Sequence, residues 1–218
     1  MMLIEKSIEF KKKQLNKAPS PYLYNEDHSF FSNYTTKLAR DLKNLDWEII
    51  LRVASQLLEA WKKNRNIFIC GNGGSAGNAN HIANDLLYAV CEKTGLGLNV
   101  NSLCANPSII TCLANDVGYE NIYSEQLAVH GNKGDILIVL SGSGNSPNVI
   151  NAIQMAKSKK ILSVAVVGFD GGRCKDLADI CIHCKTNDMQ IAEDIQLSIG
   201  HMMMQWLKQK IFAYKIEH

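Results

Sequence analysis

The feature that most constrains the fold is the alternation of short β-rich runs with helical stretches between residues 66 and 213. Five runs contain mostly β-branched, aromatic and other apolar residues, as strands buried in a sheet do. They are NIFIC (66–70), LNVNSL (98–103), DILIVL (135–140), ILSVAVVGF (161–169) and DICIHC (179–184). Strands that alternate with helices form βαβ units, in which helices cover both faces of a parallel sheet. The sequence therefore predicts an α/β fold, a three-layer αβα sandwich around a five-stranded, mostly parallel sheet.

Apolar residues at helical spacing fill the intervals around the predicted strands. The predicted helices cover about 47–61, 75–91, 107–114, 147–160, 171–178 and 191–213. Residues 1–45 have a less regular pattern, and the prolines of PSPY (19–22) predict a break in the chain. We therefore expect a helical or irregular N-terminal extension at 1–45 and one α/β domain at 46–218.

Charge and composition argue against several classes of function. The formal net charge at pH 7 is +2, so no surface for nucleic acid is expected. The N-terminus lacks the apolar core of a signal peptide, and no stretch reaches the roughly 18 apolar residues that span a membrane. The seven cysteines lie in apolar surroundings, which is typical of reduced thiols in the cytoplasm. Cys181 and Cys184 form a C-x-x-C pair, but without a second pair they do not predict a zinc or redox site.

Two loops rich in glycine and serine follow the first and third predicted strands, at the sheet edge where such folds bind ligands. GNGGSA (71–76) fits the dinucleotide pattern G-x-G-x-x-A, but the second strand lacks the acidic residue that would bind a ribose. SGSGNS (141–146) leads into a helix at Pro147, which suits a first helical turn. Serine hydroxyls and backbone amides at a helix N-terminus form a neutral anion cradle. The pair of loops predicts a phosphomonoester site rather than a nucleotide site.

A histidine and a carboxylate follow the first of these loops. His81 and Asp85 lie four residues apart on a predicted helix, so both project from one face. An imidazole and a carboxylate on one face suit a divalent metal, or a base beside a proton shuttle. An ordinary pair between the two side chains is the alternative. His201 lies among Ile199, Gly200 and three methionines, so it is expected to be buried or at an interface.

Several segments resemble one known family. GNGGSAGNANHIA, LANDVGYENIYSEQL, SGSGNSPNVI, GFDGG and EDIQLSIGH are similar to the sugar isomerase (SIS) domain, and within it to the phosphoheptose isomerases. The similarity runs in order from about residue 46 to the C-terminus. The resemblance implies the SIS fold and a homotetramer. It also implies isomerisation of sedoheptulose 7-phosphate to D-glycero-D-manno-heptose 7-phosphate through an enediol, a step toward bacterial surface polysaccharides.

The same resemblance assigns roles to individual residues. It implies a zinc ion, or another divalent metal, held by His81, Asp85, Glu193 and His201, with Asp85 as the catalytic base and His201 as the acid. The substrate-binding residues implied are Asn72, Gly73, Gly74, Ser75, Asp85, Asn115, Asp116, Ser141, Gly142, Ser143, Ser146 and Glu193.

Three positions depart from the family pattern. Asp85 replaces a glutamate, Glu193 replaces a glutamine, and Gly142 replaces a threonine of the phosphate loop. Asp194 is an alternative to Glu193 as ligand, because residues seven apart share a helical face with His201 better than residues eight apart. These departures leave open an isomerase for a different phosphosugar.

A second class of function is a non-catalytic SIS module. Some relatives bind a protein partner, as the DnaA initiator-associating protein does, and others only sense a phosphosugar. Such proteins are expected to lose the ligand histidines. This chain has both His81 and His201, which favours the enzyme.

Overall fold

The structure, a computed structural model, describes residues 21–90, 95 and 97–217. Its strands are β1 (Ile67–Gly71), β2 (Val100–Ser102), β3 (Ile136–Ser141), β4 (Leu162–Val167) and β5 (Ile180–His183). Its helices are α1 (Pro21–Lys43), α2 (Trp47–Lys62), α3 (Gly74–Asn84), α4 (Pro107–Asp116), α5 (Ser124–His130), α6 (Pro147–Lys159), α7 (Gly172–Leu177) and α8 (Met189–Glu217). A π-helical turn (Asp85–Ala89) follows α3, and a short 3-10 turn (Tyr119–Asn121) precedes α5.

The five strands form one parallel sheet in the order β2-β1-β3-β4-β5. The connections reverse direction between β1 and β3, because β2 lies on one side of β1 and the later strands lie on the other. In open α/β sheets such a reversal leaves a crevice beyond the carboxyl ends of the two strands. The two glycine-rich loops follow β1 and β3, so the topology places both at this crevice.

The hydrophobic core lies on both faces of the sheet. Every residue of β1 and β3 is buried, as expected for central strands of a covered parallel sheet. Alternate residues such as Phe68 and Leu137 pack on one face against α5 and α6. The opposite face is covered by α2 and α3, and α8 packs against both of these helices. The predicted three-layer α/β architecture is therefore confirmed.

Helix α2 shows why the sequence forms these elements where it does. The Asp46 carboxylate caps the helix by accepting hydrogen bonds from the amides of Glu48 and Ile49 at 3.1 and 3.2 Å. Its buried positions, among them Val53 and Leu57, recur at helical spacing and face the sheet. The same periodicity made this helix predictable from sequence.

Other boundaries differ from the prediction. Residues 21–43 form the regular helix α1, which begins at Pro21, because proline is tolerated in the first turn and does not break a helix there. Helix α5 was not expected, and α8 extends to Glu217. The described helix after β1 ends in the π-helical turn, and residue 91 lies outside the described part of the chain.

The chain divides into two compact units, residues 1–39 and 40–218. Helix α1 contributes to both, so the expected division at 45/46 stays a prediction. Among the described residues, no helix combines the length and apolar character needed to cross a membrane.

Candidate active site

The first glycine loop (residues 71–76) and the second glycine loop (residues 141–146) are joined by a pair of amides. Asn72 Nδ2 donates to Asn148 Oδ1 at 2.8 Å, and Asn148 Nδ2 donates to Asn72 Oδ1 at 2.8 Å. The Tyr119 hydroxyl also donates a hydrogen bond to Asn72 Oδ1 at 3.1 Å. Asn148 is buried in the first turn of α6, so it has a fixed position. The predicted substrate residue Asn72 is thus held by groups that the sequence did not single out.

The carbonyl at the start of the first glycine loop is also fixed. The Tyr123 hydroxyl donates to the Gly71 carbonyl oxygen, and the Cys104 thiol lies 3.4 Å from the same oxygen. Burial raises the pKa of the Tyr123 hydroxyl well above its usual range, so it stays a neutral donor. Gly73, at φ +55 and ψ −123, takes a conformation that favours glycine and turns the chain into α3. These contacts leave the start of α3 facing the crevice.

The second glycine loop folds around its own serines. Ser141 Oγ accepts from the Gly144 amide at 3.0 Å, and Ser143 Oγ accepts from the Asn145 amide at 3.3 Å. Each hydroxyl that accepts a hydrogen bond still has its O–H to donate to an anion. Ser146 stands at the N-terminus of α6 without a side-chain cap bond. The loop therefore offers three hydroxyl donors and the positive end of a helix, without a lysine or arginine in its own sequence.

His81, Asp85 and His201 come together across 120 residues of sequence. The Nε2 atoms of the two histidines are 3.0 Å apart, and each lies 3.5 Å from Asp85 Oδ2. The two imidazoles are about half exposed, whereas the carboxylate side chain is only 16% exposed. One ligand atom from each residue lies within 4.8 Å of the other two. Two imidazole nitrogens and a carboxylate oxygen that converge in this way fit a divalent cation such as Zn²⁺.

Close packing of α3 against α8 brings this cluster together. A Cβ atom built on Gly200 would lie 2.5 Å from Ile82 Cγ1, so only glycine lets the two helices approach this closely. Ile82 follows His81, and Gly200 precedes His201, so the contact sets the distance between the two imidazoles. Asp85 begins the π-helical turn, a feature found frequently at functional sites.

The fourth predicted ligand, Glu193, does not belong to this three-residue cluster. Its carboxylate lies against the first glycine loop, where a Cβ atom built on Gly74 would be 2.2 Å from Glu193 Oε2. The positive end of α3 favours a carboxylate at that point. Asp194, the alternative ligand, is half-buried one position later and is likewise outside the cluster. The ligand role of Glu193 stays a prediction.

Helix α8 also fixes the residue that follows Gly74. Ser75 Oγ donates to the buried Gln196 Oε1 at 3.0 Å, and Asn78 Nδ2 donates to the Glu193 carbonyl oxygen at 2.9 Å. Ser75 is buried, so its hydroxyl positions the loop through Gln196. Sequence reasoning missed Gln196 and Asn78, although Gln196 lies one helical turn after Glu193 and could have been found by that spacing.

The predicted sugar-contacting pair lies at the exposed end of α4. Asn115 Nδ2 donates to Asp116 Oδ1 at 2.8 Å, and the Cys112 thiol lies 3.4 Å from Asp116 Oδ2. A hydrogen bond from the Asn115 amide, and a weaker one from the Cys112 thiol, lower the pKa of Asp116 and so stabilise its carboxylate in the charged form. This exposed carboxylate can accept hydrogen bonds from sugar hydroxyls.

Comparisons with known proteins identify the family of this chain. A family model for the SIS domain matches residues 30–168. The chain belongs to the SIS domain family. A phosphoheptose isomerase of Aneurinibacillus thermoaerophilus is 35% identical over 167 residues, 77% of this chain and 84% of that protein. One from Helicobacter pylori (strain P12) is 34% identical over 187 residues, 85% of this chain and 95% of that protein.

A solved structure extends the likeness to three dimensions. The phosphoheptose isomerase of Neisseria gonorrhoeae matches with a TM-score of 0.78 at 26% identity, over 86% of this chain and 99% of that one. Within the SIS domain family, this chain is therefore a member of the phosphoheptose isomerases.

Proposed function

We propose that this protein is an aldose–ketose isomerase that converts sedoheptulose 7-phosphate into D-glycero-D-manno-heptose 7-phosphate. The observation that carries the proposal is the cluster of His81, Asp85 and His201, which joins α8 to the helix that begins at the first glycine loop. The names of its relatives support the same activity. Without the cluster, the loop alone would support only phosphosugar binding.

The chemistry requires a proton to move between C1 and C2 of the sugar. Asp85 is the proposed base, since its carboxylate is partly buried and can take a proton from one carbon and return it to the other. His201 is the proposed acid, because an imidazole has two ring nitrogens, so one can bind a metal while the other carries the proton for the sugar oxygen. The enediol between the two steps would be held by these neighbouring donors.

A divalent metal, zinc above the other candidates, is part of the proposal. His81, Asp85 and His201 would hold it, with Glu193 proposed as the fourth ligand. When bound, such an ion supplies Lewis-acid polarisation of a carbonyl oxygen. The carboxylate of Asp85 has two oxygens, so one could bind the ion while the other takes the proton.

The phosphate is proposed to bind at the second glycine loop through Ser141, Ser143 and Ser146. The N-terminus of α3, with Gly73, Gly74 and Ser75, adds backbone donors at the facing loop. Asn72, Asn115, Asp116, Gly142 and Glu193 are the proposed contacts to the sugar.

Location and assembly follow from other features. We infer a cytoplasmic location, because the six described cysteines are all free thiols. We infer a homo-oligomer, and a tetramer from the family resemblance, because exposed apolar residues of α2 and α8 line a groove of about 170 Å³ that another copy would cover. Trp47, Leu51 and Met202 contribute to that exposed surface.

A non-catalytic phosphosugar-binding or partner-binding role is the less favoured alternative. A binding role needs only the serine loop for the phosphate. It does not explain why two histidines converge on one carboxylate.

An isomerisation assay with sedoheptulose 7-phosphate tests the proposal, run on protein with and without prior treatment by a chelator. We expect turnover that falls on metal removal and returns with Zn²⁺. Absence of turnover with every divalent metal would contradict the enzyme. Turnover of another phosphosugar only would contradict the substrate but keep the reaction class.

A further inference from the structure

The space next to Gly142 in the second glycine loop is filled by a methionine. A Cβ atom built on Gly142 would lie 2.2 Å from Met189 Sδ and 2.9 Å from Met189 Cε. Gly142 is not among the described glycines with positive φ, so its backbone would accept a side chain. The thioether of Met189, at the first position of α8, is what occupies that volume. Met189 is 37% exposed, so it forms part of the crevice surface and not of the core.

A strained aromatic residue lies beside the methionine. Phe169 Cε2 is 3.8 Å from the position of the same built Cβ atom. Phe169 has φ +48, a left-handed conformation that a bulky residue rarely adopts. Two hydrogen bonds hold it there: its amide donates to the Thr186 carbonyl at 2.8 Å, and His183 Nε2 lies 2.9 Å from its carbonyl oxygen. Strained residues that the surroundings fix in place cluster at ligand sites.

Met189 and Phe169 together form an apolar wall over the middle of the phosphate loop. Gly142 lies between Ser141 and Ser143, whose hydroxyls are proposed to bind the phosphate, so the wall adjoins the proposed phosphate site. A thioether and an aromatic ring offer no hydrogen bond to a sugar hydroxyl. They can instead pack against the C–H groups of the carbon that follows the phosphate.

We propose that Met189, backed by Phe169, is a specificity-determining residue of this site. The inference rests on the proposed function, because it concerns the sugar part of the same substrate. The wall holds the carbons nearest the phosphate in one position. The number of carbons between the phosphate and C2 then decides whether C2 reaches Asp85, since small displacements from the reactive geometry lower the rate strongly.

Steady-state kinetics of a Met189→Ala variant test the proposal, with sedoheptulose 7-phosphate and the shorter fructose 6-phosphate as substrates. We expect KM for sedoheptulose 7-phosphate to rise about tenfold and its preference over fructose 6-phosphate, in kcat/KM, to fall about tenfold. The affinity for inorganic phosphate, measured by calorimetry, should change less than about twofold, because the wall contacts carbon and not the phosphate. Gln190→Ala, an exposed neighbour in the same turn, is the matched control and should keep wild-type kinetics. An unchanged substrate preference in Met189→Ala overturns the proposal.

A double variant tests the contact itself. Gly142→Ala should weaken sugar-phosphate binding, because the new methyl group must displace Met189. Gly142→Ala combined with Met189→Ala should bind sugar phosphate about as tightly as Met189→Ala alone, since the methyl group then has room. If the double variant instead binds more weakly than Met189→Ala by the full loss seen in Gly142→Ala, the two changes act independently, the contact does not govern the site and the proposal fails.

Binding measurements separate this inference from the proposed function. If the wild type turns over none of the sugar phosphates, the proposed function fails, and calorimetry with sedoheptulose 7-phosphate decides the role of Met189. Loss of sugar-phosphate affinity in Met189→Ala, with unchanged affinity for inorganic phosphate, would uphold the wall as a determinant of binding. Equal affinities in both proteins would overturn it.

Discussion

Asp85 combines three features that single it out among the carboxylates of the crevice. It is the first residue of the π-helical turn, its side chain is largely buried, and it lies 3.5 Å from both imidazoles. Glu193, by contrast, faces the start of α3, and Asp116 is exposed at the end of α4. A base must be close to the groups that share its proton, so the geometry favours Asp85 over the other two.

Asp85→Asn should therefore abolish turnover while leaving phosphate binding intact. The amide has the same size but cannot accept a proton, so kcat is expected to fall by roughly 10²- to 10⁴-fold. The serine loop is untouched, and calorimetry should give an unchanged affinity for inorganic phosphate. The readout is the isomerisation rate at saturating substrate. A rate within about twofold of wild type would remove Asp85 from the role of base.

At the scale of secondary-structure elements, the packing of α3 on α8 determines whether the site exists. Each helix carries part of the cluster, and the contact between Gly200 and Ile82 sets their separation. The strands contribute in a different way, since β1 and β3 only deliver their loops to the crevice. Helix packing is thus the step at which local elements become a site.

Gly200→Ala should destabilise the protein and weaken metal uptake together. Its methyl group would meet Ile82 at 2.5 Å, and overpacking of this kind costs about 1–3 kcal/mol of unfolding free energy. Gly77→Ala is the matched control on α3, because a Cβ atom there meets nothing within 4 Å. That change should stabilise by about 0.5–1 kcal/mol, since alanine favours a helix interior. Denaturant unfolding and a Zn²⁺ titration measure both effects. Equal stability of the two variants would show that the close approach is not limiting.

At the scale of the whole molecule, two helices leave apolar surface uncovered. Leu51 on α2 is 45% exposed, and it lines the same groove as Trp47, Met202 and Trp206. Contiguous apolar surface of this kind is usually buried against another chain. The surface lies on the outside of the layer that also carries His81 and His201, so assembly would stiffen the helices of the site.

We expect Leu51→Lys to convert the proposed tetramer into smaller species. A buried charge at an apolar contact is costly, so the association should weaken at micromolar concentration. Val129→Lys is the control, because Val129 is 78% exposed on α5, away from the groove. Light scattering coupled to size exclusion measures the mass. A wild-type monomer would refute the assembly outright.

Metal binding should raise the stability of the whole domain, because the ligands come from two helices that only folding brings together. At a Zn²⁺ concentration about 100 times Kd, the gain is about 2.7 kcal/mol, which corresponds to a rise in Tm of roughly 5–10 °C. A His81→Ala, His201→Ala variant should lose the rise. Differential scanning fluorimetry with and without chelator measures it. A Tm that no divalent metal changes would contradict the metal site.

The sequence by itself determined the order of the strands and helices and the pairing of His81 with Asp85. Short apolar runs indicate buried strands, and apolar residues at helical spacing indicate helices. The five predicted strands therefore lie within a few residues of β1 to β5. The pairing of His81 with Asp85 was also local, since four residues span one helical turn. Linking His201 to that pair required a resemblance, because the two histidines are 120 residues apart.

Only the tertiary structure decided the remaining contacts. The amide pair of Asn72 and Asn148, the position of Glu193 beside Gly74, and Met189 over Gly142 each join elements that are distant in sequence. No local pattern records such contacts. The amide pair depends on how α6 lies beside the first glycine loop, and the other two contacts depend on how closely α8 packs over the glycine loops. The sequence decides which side chains each helix and loop carries, and the packing of the helices decides which of those side chains come into contact.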